Sequence, residues 1–294
     1  MERACALAFL FLFLHPPGGG AQEPGKEVSG LNRLHLPRLG FRVWSLGKGD
    51  FDGDGDLDLL AGGTKGGIRL LVNDGKALFA DSGFDYSSSG NGFCYALAVA
   101  DVDGDGDLDF LAAVRAGSDR LYLNDGKAVF RDVSRTHLPQ LRNDSECLSF
   151  SDVDGDGDVD LIRCRSFGQT RLLLNDGKGH FVDVTRERLP LYRSWTGSLS
   201  AVDINGDRHP DLVLANEAAG IMEASFAWLN DGSGWFRRTS PDSILGKMYL
   251  SSLACFDADG DGDPDMVGLH GMKQEPFLLT NKGNGRFTSP GKEK

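Results

Sequence analysis

The chain has 294 residues, with 43 acidic and 31 basic side chains and a formal net charge of −12. This acidic balance excludes nucleic acid as a partner, because nucleic-acid recognition needs a basic surface. Forty glycines and a modest hydrophobic content indicate one all-β domain of short strands and many turns.

Residues 1–21 predict a secretory signal peptide. Arg3 precedes an apolar run of eleven residues, Ala4–Leu14, which is too short to span a bilayer. The small residues Gly19, Gly20 and Ala21 suit a signal peptidase. The alternative is a membrane anchor. We expect a secreted, extracellular protein without a membrane span, and a flexible leader at residues 22–30.

A nine-residue acidic loop, whose residues we number as positions 1 to 9, recurs along the chain. The copy at Asp101–Asp109 reads D-V-D-G-D-G-D-L-D. Carboxylates about 4 to 6 Å apart repel one another, and a bound cation removes that repulsion. Calcium takes six to eight oxygen ligands. We therefore predict a calcium site in which positions 1, 3, 5 and 9 supply side-chain oxygens and position 7 supplies its backbone carbonyl.

Five such loops predict four to five calcium ions; the alternative is a set of solvated acidic turns. The candidate metal ligands are Asp50, Asp52, Asp54, Asp56 and Asp58; Asp101, Asp103, Asp105, Asp107 and Asp109; Asp152, Asp154, Asp156, Asp158 and Asp160; Asp203, Asn205, Asp207 and Asp211; and Asp257, Asp259, Asp261, Asp263 and Asp265. In the fourth loop, Arg208 replaces a glycine and Asn205 replaces an aspartate. We expect the weakest calcium affinity there, because this loop has three carboxylates.

The loops mark a repeat of about 51 residues. Each loop is followed by a tight-turn sequence, Asn-Asp-Gly or Asn-Lys-Gly, which begins at Asn73, Asn124, Asn175, Asn230 and Asn281. One repeat predicts strands at Cys94–Ala100, Leu108–Val114, Arg120–Leu123 and Val129–Ser134. This is a four-stranded antiparallel meander, with the calcium loop joining its first two strands. Such sheets must stack to bury their faces, and radial stacking gives a β-propeller.

The D-x-D-G-D-G-D-x-D loop between short apolar strands, with L-x-L-N-D-G between copies, resembles the FG-GAP/VCBS repeats. These repeats form propeller blades in integrin α-subunits and in cartilage acidic protein-like secreted proteins. The resemblance covers residues 31–289 and leaves a tail at residues 290–294. It implies a calcium-dependent propeller used for extracellular binding. Five blades close one ring, or the ring is truncated or completed by another chain, since many propellers of this family have seven blades. The oligomeric state stays open.

The connections at the end of the sheets opposite the calcium loops differ in every repeat, which favours them as the surface that binds an extracellular protein or a glycan. The candidates are Tyr86, Arg142, Arg165, Tyr192, Arg193, Trp195, Tyr249 and His270. The alternative for each aromatic residue is packing between blades.

Two covalent features are predicted in the third repeat. The hairpin around the third calcium loop brings Cys147 and Cys164 nearly opposite each other, where they form a disulfide or stay as buried thiols. The tripeptide Asn143-Asp144-Ser145 is an N-glycosylation sequon at Asn143.

Four function classes remain: an adhesion module that binds protein or matrix, a calcium-dependent lectin, a polysaccharide hydrolase or lyase, and a scaffold without a fixed small ligand. His137, His209 and His270 are possible acids or bases. However, the chain has no G-x-S-x-G or H-E-x-x-H motif and no glycine-rich phosphate loop. We predict a binding module and no enzyme.

Overall fold

The computed structural model describes residues 36–86, 92–115, 118–140, 145–165, 168–192, 195–216, 224–239, 248–270 and 275–288. The predicted signal peptide, leader and tail lie outside these residues. So do Arg142, Arg193 and Asn143. Among the described helices, none is long and apolar enough to cross a membrane.

The described residues form five four-stranded antiparallel sheets, each with its strands in chain order. Sheet 1 contains β1 (Val43–Gly49), β2 (Asp58–Gly63), β3 (Ile68–Asn73) and β4 (Phe79–Asp85). Sheet 2 contains β5 (Phe93–Ala100), β6 (Asp109–Arg115), β7 (Arg120–Leu123) and β8 (Arg131–Asp132). Sheet 3 contains β9 (Ser145–Ser151), β10 (Asp160–Arg165), β11 (Arg171–Asn175) and β12 (Phe181–Asp183). Sheet 4 contains β13 (Thr196–Val202), β14 (Asp211–Asn216), β15 (Phe226–Asn230) and β16 (Phe236–Arg238). Sheet 5 contains β17 (Leu250–Phe256), β18 (Asp265–His270), β19 (Pro276–Asn281) and β20 (Phe287–Thr288).

The prediction of five all-β repeats is confirmed. Helix is limited to one 3-10 turn, Thr64–Gly66, and to two single-turn helices, α1 (Ser134–His137) and α2 (Thr185–Arg188), in the described part of the chain.

The sheets are stacked in chain order through their first strands. β1 contacts β5, β5 contacts β9, β9 contacts β13 and β13 contacts β17. Within the described ranges, no contact of similar extent joins β17 to β1.

Each pair of neighbouring sheets encloses an apolar cluster, which we call a junction. The second strand of an inner sheet contributes to two junctions because its side chains alternate between the two faces: Phe110 faces sheet 1 and Leu111 faces sheet 3. This explains why β6 is a continuous apolar run instead of an alternating one. The other two junctions contain Ile162 with Leu212, and Val213 with Met266.

The predicted fourth strand, Val129–Ser134, is wrong in its boundaries. Strand β8 covers only Arg131–Asp132, and α1 begins at Ser134. The Ser134 hydroxyl accepts a hydrogen bond from the Leu121 amide at 2.9 Å, and the Ser134 amide donates to Asp132 Oδ1 at 3.0 Å. These side-chain bonds replace the strand ladder and turn the chain into a helix. Thr185 and Asp183 repeat the arrangement before α2.

Candidate calcium sites

Three carboxylates come together in each of four loops. They belong to positions 1, 3 and 9, and within each group one oxygen atom per residue lies within 4.8 Å of the others. The groups are Asp50, Asp52 and Asp58; Asp101, Asp103 and Asp109; Asp152, Asp154 and Asp160; and Asp257, Asp259 and Asp265. Two ligands of one calcium ion lie at most about 5 Å apart, because each Ca–O distance is about 2.3 to 2.6 Å. The spacing of these oxygens fits such an ion.

The position 9 aspartate fastens the loop to the sheet. Asp109 is fully buried; its Oδ2 accepts from the Val102 amide at 2.9 Å and its Oδ1 from the Asn124 amide at 2.8 Å. The same two bonds recur in all five repeats, at 2.9–3.2 Å and 2.8–2.9 Å. This carboxylate therefore connects both ends of the calcium loop to the third strand.

Burial makes ionisation of the position 9 carboxyl costly in the absence of a cation. Desolvation raises the pKa of Asp109, Asp160 and Asp211 to about 7, although two backbone N–H groups oppose the shift in each case. Burial also raises the pKa of Asp58. A divalent ion next to these groups stabilises their charged form.

The position 1 aspartate shapes the loop. Asp101 accepts hydrogen bonds from the amides of Gly104 at 2.8 Å and Gly106 at 3.0 Å. Both glycines have positive φ angles, 75° and 95°, which few other residues adopt. The loop is thus held in a coordinating shape by its own backbone.

Positions 5 and 7 lie apart from the carboxylate groups. Asp105 Oδ1 accepts from the Asp107 amide at 2.9 Å. The carboxylate of Asp107 lies about 2.6 Å from the point where a Cβ would stand on Gly126. Position 7 therefore packs its side chain against the Asn-Asp-Gly turn, which leaves its backbone carbonyl as the oxygen that sequence analysis assigns to the ion.

Two buried oxygen atoms support a bound cation directly. Oδ1 of Asp103 and Oδ1 of Asp154, both at position 3, are inaccessible and have no hydrogen-bond partner. A buried carboxylate oxygen without a partner is costly, and calcium coordination satisfies it. The residues present therefore fit the predicted ion.

The fourth loop keeps the fold of the others without their carboxylate group. Arg208 adopts φ 71° in place of glycine, and its amide donates to Asp203 Oδ2 at 2.6 Å. Asn205 Nδ2 donates to Asp207 Oδ2 at 2.9 Å. Among the described residues of this loop, no three carboxylates converge. Hydrogen bonds of Asn205 and Arg208 stabilise this loop, whereas each of the other four loops has three converging carboxylates.

Each of the first four loops also meets the tight turn of the next sheet. The Asn124 carboxamide donates to the Phe51 carbonyl at 2.8 Å, so position 2 of loop 1 is bonded to sheet 2. The equivalent bonds from Asn175, Asn230 and Asn281 measure 2.7–2.9 Å. Sequence analysis interpreted these asparagines only as turn residues. Their second role needs the neighbouring repeat, which local sequence does not reveal.

The family model of the FG-GAP-like repeat matches the chain at residues 50–112, 101–163, 152–214 and 203–268. The four overlapping matches begin at position 1 of the first four loops and together cover well over half of the sequence. The chain belongs to the FG-GAP-like repeat family. The resemblance drawn from the sequence motifs is confirmed.

Among solved structures, this FG-GAP-like chain is similar to the crystal structure of the V. cholerae biofilm matrix protein Bap1, with 16% sequence identity and a TM-score of 0.45. The similarity covers 84% of this chain and 39% of that chain. A search of the curated proteins found no match.

The prediction that Tyr86 and Tyr192 of this FG-GAP-like chain lie on the partner-binding surface is wrong. Tyr86 is buried at the junction of sheets 1 and 2, with its ring 5.9 Å from that of Phe110. Tyr192 is buried at the junction of sheets 3 and 4, with its ring 4.4 Å from that of Phe226. Large aromatic side chains fill the space between sheets, which was the stated alternative.

The other described candidates lie at the end of the sheets opposite the calcium loops and are partly exposed. Trp195 Nε1 donates to Glu146 Oε2 at 3.2 Å. Arg165, Tyr249 and His270 are also partly exposed.

An aromatic cluster that the sequence does not predict lies at this same end. The ring of Trp44 lies 5.5 Å from Tyr95 and 6.1 Å from Phe93, all near the start of first strands. Arg115 stacks over Tyr95 at 5.6 Å and donates to its hydroxyl at 3.0 Å. Phe93 is exposed, and Trp44 and Tyr95 are partly exposed. Trp44 stands 49 positions before Phe93 in the sequence, so only the stacking of sheets 1 and 2 brings it to the other rings.

The predicted pairing position of the cysteines is correct, and the covalent bond is absent. Cys147 and Cys164 are directly opposite in the β9–β10 ladder, but both are free, buried thiols. Thr170 Oγ1 donates to Cys164 Sγ at 3.6 Å, while the Cys147 thiol points to the Thr196 carbonyl at 4.0 Å. The structure therefore has the second of the two alternatives.

Proposed function

We propose that this chain is an extracellular calcium-binding module whose five sheets are blades of a β-propeller. Successive contact of the five first strands supports the propeller, because those strands then line its axis. Membership of the FG-GAP-like repeat family supports the same reading. The signal-peptide pattern of residues 1–21 supports secretion.

The observation that carries the calcium assignment is the convergence of three aspartates in each of four loops, with unpartnered buried oxygens on Asp103 and Asp154. Calcium at these loops is structural. It neutralises carboxylates that the fold places close together, and it rigidifies the segment that hydrogen-bonds to the next sheet. The loops starting at Asp50, Asp101, Asp152 and Asp257 bind one calcium ion each, and the fourth loop binds calcium with the lowest affinity.

Native mass spectrometry of the secreted protein tests this assignment. We expect four calcium ions per chain at moderate calcium concentration and a fifth only at higher concentration. Thermal unfolding in excess chelator should begin at a clearly lower temperature. A protein that carries no calcium and melts at the same temperature with and without chelator would rule out structural calcium.

The partner binds at the end opposite the calcium loops. The cluster of Trp44, Phe93 and Tyr95 supports this location, since half-exposed aromatic rings with an adjacent Arg115 are typical of binding hot spots. A protein or matrix component is the first candidate, which makes the chain an adhesion module. The calcium-loop end repeats nearly the same sequence and suits a structural role better.

A glycan is the second candidate partner, and the aromatic cluster is the observation that favours it. Sugar rings stack on exposed aromatic faces, and Arg115 suits an acidic sugar. Binding to an array of neutral and acidic oligosaccharides tests the lectin function. Trp44→Ala should abolish binding, whereas Trp235→Ala, which removes an exposed tryptophan at the calcium-loop end, should leave it intact. Equal effects of the two variants would reject the cluster as the site.

We propose no catalytic activity. The aspartates that might act as acid or base are engaged in loop hydrogen bonds, as with Asp101 and Asp109. Release of sugar or peptide products from candidate ligands by the purified protein would contradict this proposal.

A further inference from the structure

Sheets 1 and 5 each have one outer face that meets no other described sheet. Each of these faces carries the features of one side of a junction. An internal junction combines the asparagine bond to the position 2 carbonyl, an apolar cluster, and a close approach between position 4 glycine and the next tight turn. At Gly104, for example, an added Cβ atom would lie 3.5 Å from the carbonyl oxygen of Gly177 in the next tight turn. In the described part of the chain these features occur four times, between consecutive sheets.

Sheet 1 exposes apolar side chains on the face that points away from sheet 2. Val43 is 38% exposed, whereas its counterparts Cys94, Ser145, Thr196 and Leu250 are at most 1% exposed. Leu57 at position 8 is 56% exposed, whereas its counterpart Leu108 packs against the junction of sheets 1 and 2.

The tight-turn asparagine of sheet 1 makes no hydrogen bond to another described sheet. Asn73 Nδ2 donates to the Leu57 carbonyl of its own sheet at 3.1 Å, and its buried Oδ1 has no partner. Asn175 and Asn230 make the same bond within their own sheets. In addition, all four counterparts of Asn73 bond to the position 2 carbonyl of the preceding sheet.

Sheet 5 exposes the opposite half. No atom lies within 4 Å of a Cβ placed on Gly260, whereas the position 4 glycines of the other four loops face a carbonyl of the next sheet. The position 2 residue, Ala258, is exposed, and among the described residues no amide donates a hydrogen bond to its carbonyl. Phe256, the last residue of β17, is 37% exposed.

The two end faces carry corresponding positions of the junction. In the junction of sheets 1 and 2, Leu108 lies against Gly49, the last residue of β1. The equivalent positions at the ends of the molecule are Leu57 on sheet 1 and Phe256 on sheet 5, both large, apolar and exposed. Phe256 is large where the inner sheets have a smaller residue, and Ala258 is small where they have Phe51, Val102, Val153 or Ile204. On the outer face of sheet 5, the large apolar side chain is therefore at the end of the first strand and not at position 2 of the loop.

We propose that sheet 1 of one molecule packs on sheet 5 of a second copy of this chain, with Leu57 against Phe256 and Asn73 bonded to the Ala258 carbonyl. This contact repeats, between two molecules, the junction that the chain already forms four times. The interface is heterologous, since two different faces meet, so the assembly grows with concentration or closes into a ring.

Sedimentation velocity of the full chain in calcium, over a wide concentration range, tests this association. We expect the wild-type protein to associate, and Leu57→Lys and Phe256→Lys each to weaken association at least tenfold. Both side chains are exposed in the single molecule, so both variants should melt as the wild type does when dilute. The matched control is Val182→Lys, which changes an exposed valine of sheet 3 and should associate normally.

The direction of the contact is tested by mixing the two variants. Phe256→Lys retains an intact sheet 1 and Leu57→Lys retains an intact sheet 5, so the mixture should form a one-to-one dimer and nothing larger. A wild-type protein that stays monomeric at every concentration overturns the proposal. If Leu57→Lys also lowers the melting temperature of that monomer more than Val182→Lys does, the face is covered by the same chain. Self-association of Phe256→Lys alone would indicate that two copies of sheet 1 meet, which also overturns it.

Discussion

The Asn175 carboxamide donates a hydrogen bond to the Val102 carbonyl at 2.8 Å, across the junction between sheets 3 and 2. The backbone amide of the same asparagine donates to Asp160 Oδ1, within its own repeat, at 2.9 Å. One residue therefore connects the tight turn of sheet 3, the position 9 aspartate of its own calcium loop and the calcium loop of sheet 2. We therefore expect calcium binding and sheet stacking to be coupled.

Replacing this asparagine should weaken the junction. Asn175→Ala leaves the buried Val102 carbonyl without that donor, so we expect a loss of about 1 to 3 kcal/mol in the free energy of unfolding. Asn73→Ala is the matched control and should cost clearly less, because the Asn73 carboxamide donates to the Leu57 carbonyl of its own sheet and to no other described sheet. Urea unfolding in calcium measures both values. Equal losses would mean that only the turn matters.

The sequence predicted the repeats well because the residues that define them are local. Nine consecutive residues hold the position 1, 3 and 9 aspartates, and the turn sequence follows at a nearly fixed distance. What it missed depends on neighbouring repeats. Tyr86 resembles a surface aromatic until sheet 2 covers it, and Trp44 meets Tyr95 only when sheets 1 and 2 stack. The early end of β8 was also missed, because it depends on which amide the Ser134 hydroxyl reaches.

Position 3 should separate loops that bind calcium tightly from the fourth loop. Asp103→Ala removes one of three converging carboxylates, so we expect it to lose the stabilisation from one ion, about 1.4 kcal/mol at ten times the dissociation constant. Asn205→Ala removes the equivalent residue of the fourth loop and should lose less. The measurement is unfolding in calcium and in chelator.

The calcium-dependent part is the difference between those two conditions for each variant. Asp103→Ala should show a smaller difference than the wild-type protein, and its stability in chelator should be near that of the wild type. If Asn205→Ala reduces the difference by the same amount, the fourth loop binds calcium as strongly as the second, which contradicts its hydrogen-bonded arrangement.

Stability without calcium should fall as the pH rises from about 4 to about 7. Burial raises the folded-state pKa of Asp109, Asp160 and Asp211 to about 7, whereas an unfolded aspartate has a pKa of about 3.9. Between these values the folded state binds more protons than the unfolded state, so raising the pH favours unfolding.

Calcium should reverse this trend, because the ion competes with protons for the same carboxylates and binds more tightly as the pH rises. Melting temperatures at pH 5, 6, 7 and 8, with chelator and with calcium, measure both curves. The difference between the curves should widen toward pH 8. Parallel curves would show that the buried aspartates and the ion sites are not linked.

A buried ion pair joins sheets 2 and 3 near the end opposite the calcium loops. Arg163 Nη1 donates to Asp119 Oδ2 at 2.8 Å, Ser145 Oγ donates to the same oxygen at 2.8 Å, and both charged side chains are almost inaccessible. Removing one partner leaves a buried, uncompensated charge. We expect Asp119→Ala to cost about 3 to 5 kcal/mol in the free energy of unfolding.

Replacing both partners by apolar residues should recover much of that loss, because the double variant Asp119→Leu, Arg163→Met buries no charge. The control is the partly exposed pair of Arg120 and Asp132, where Asp132→Asn, which keeps the side-chain shape, should cost below about 1 kcal/mol. Urea unfolding of the single and double variants measures the coupling. If the double variant loses as much stability as the single variants Asp119→Leu and Arg163→Met lose together, the junction needs these groups for contacts other than their mutual charge.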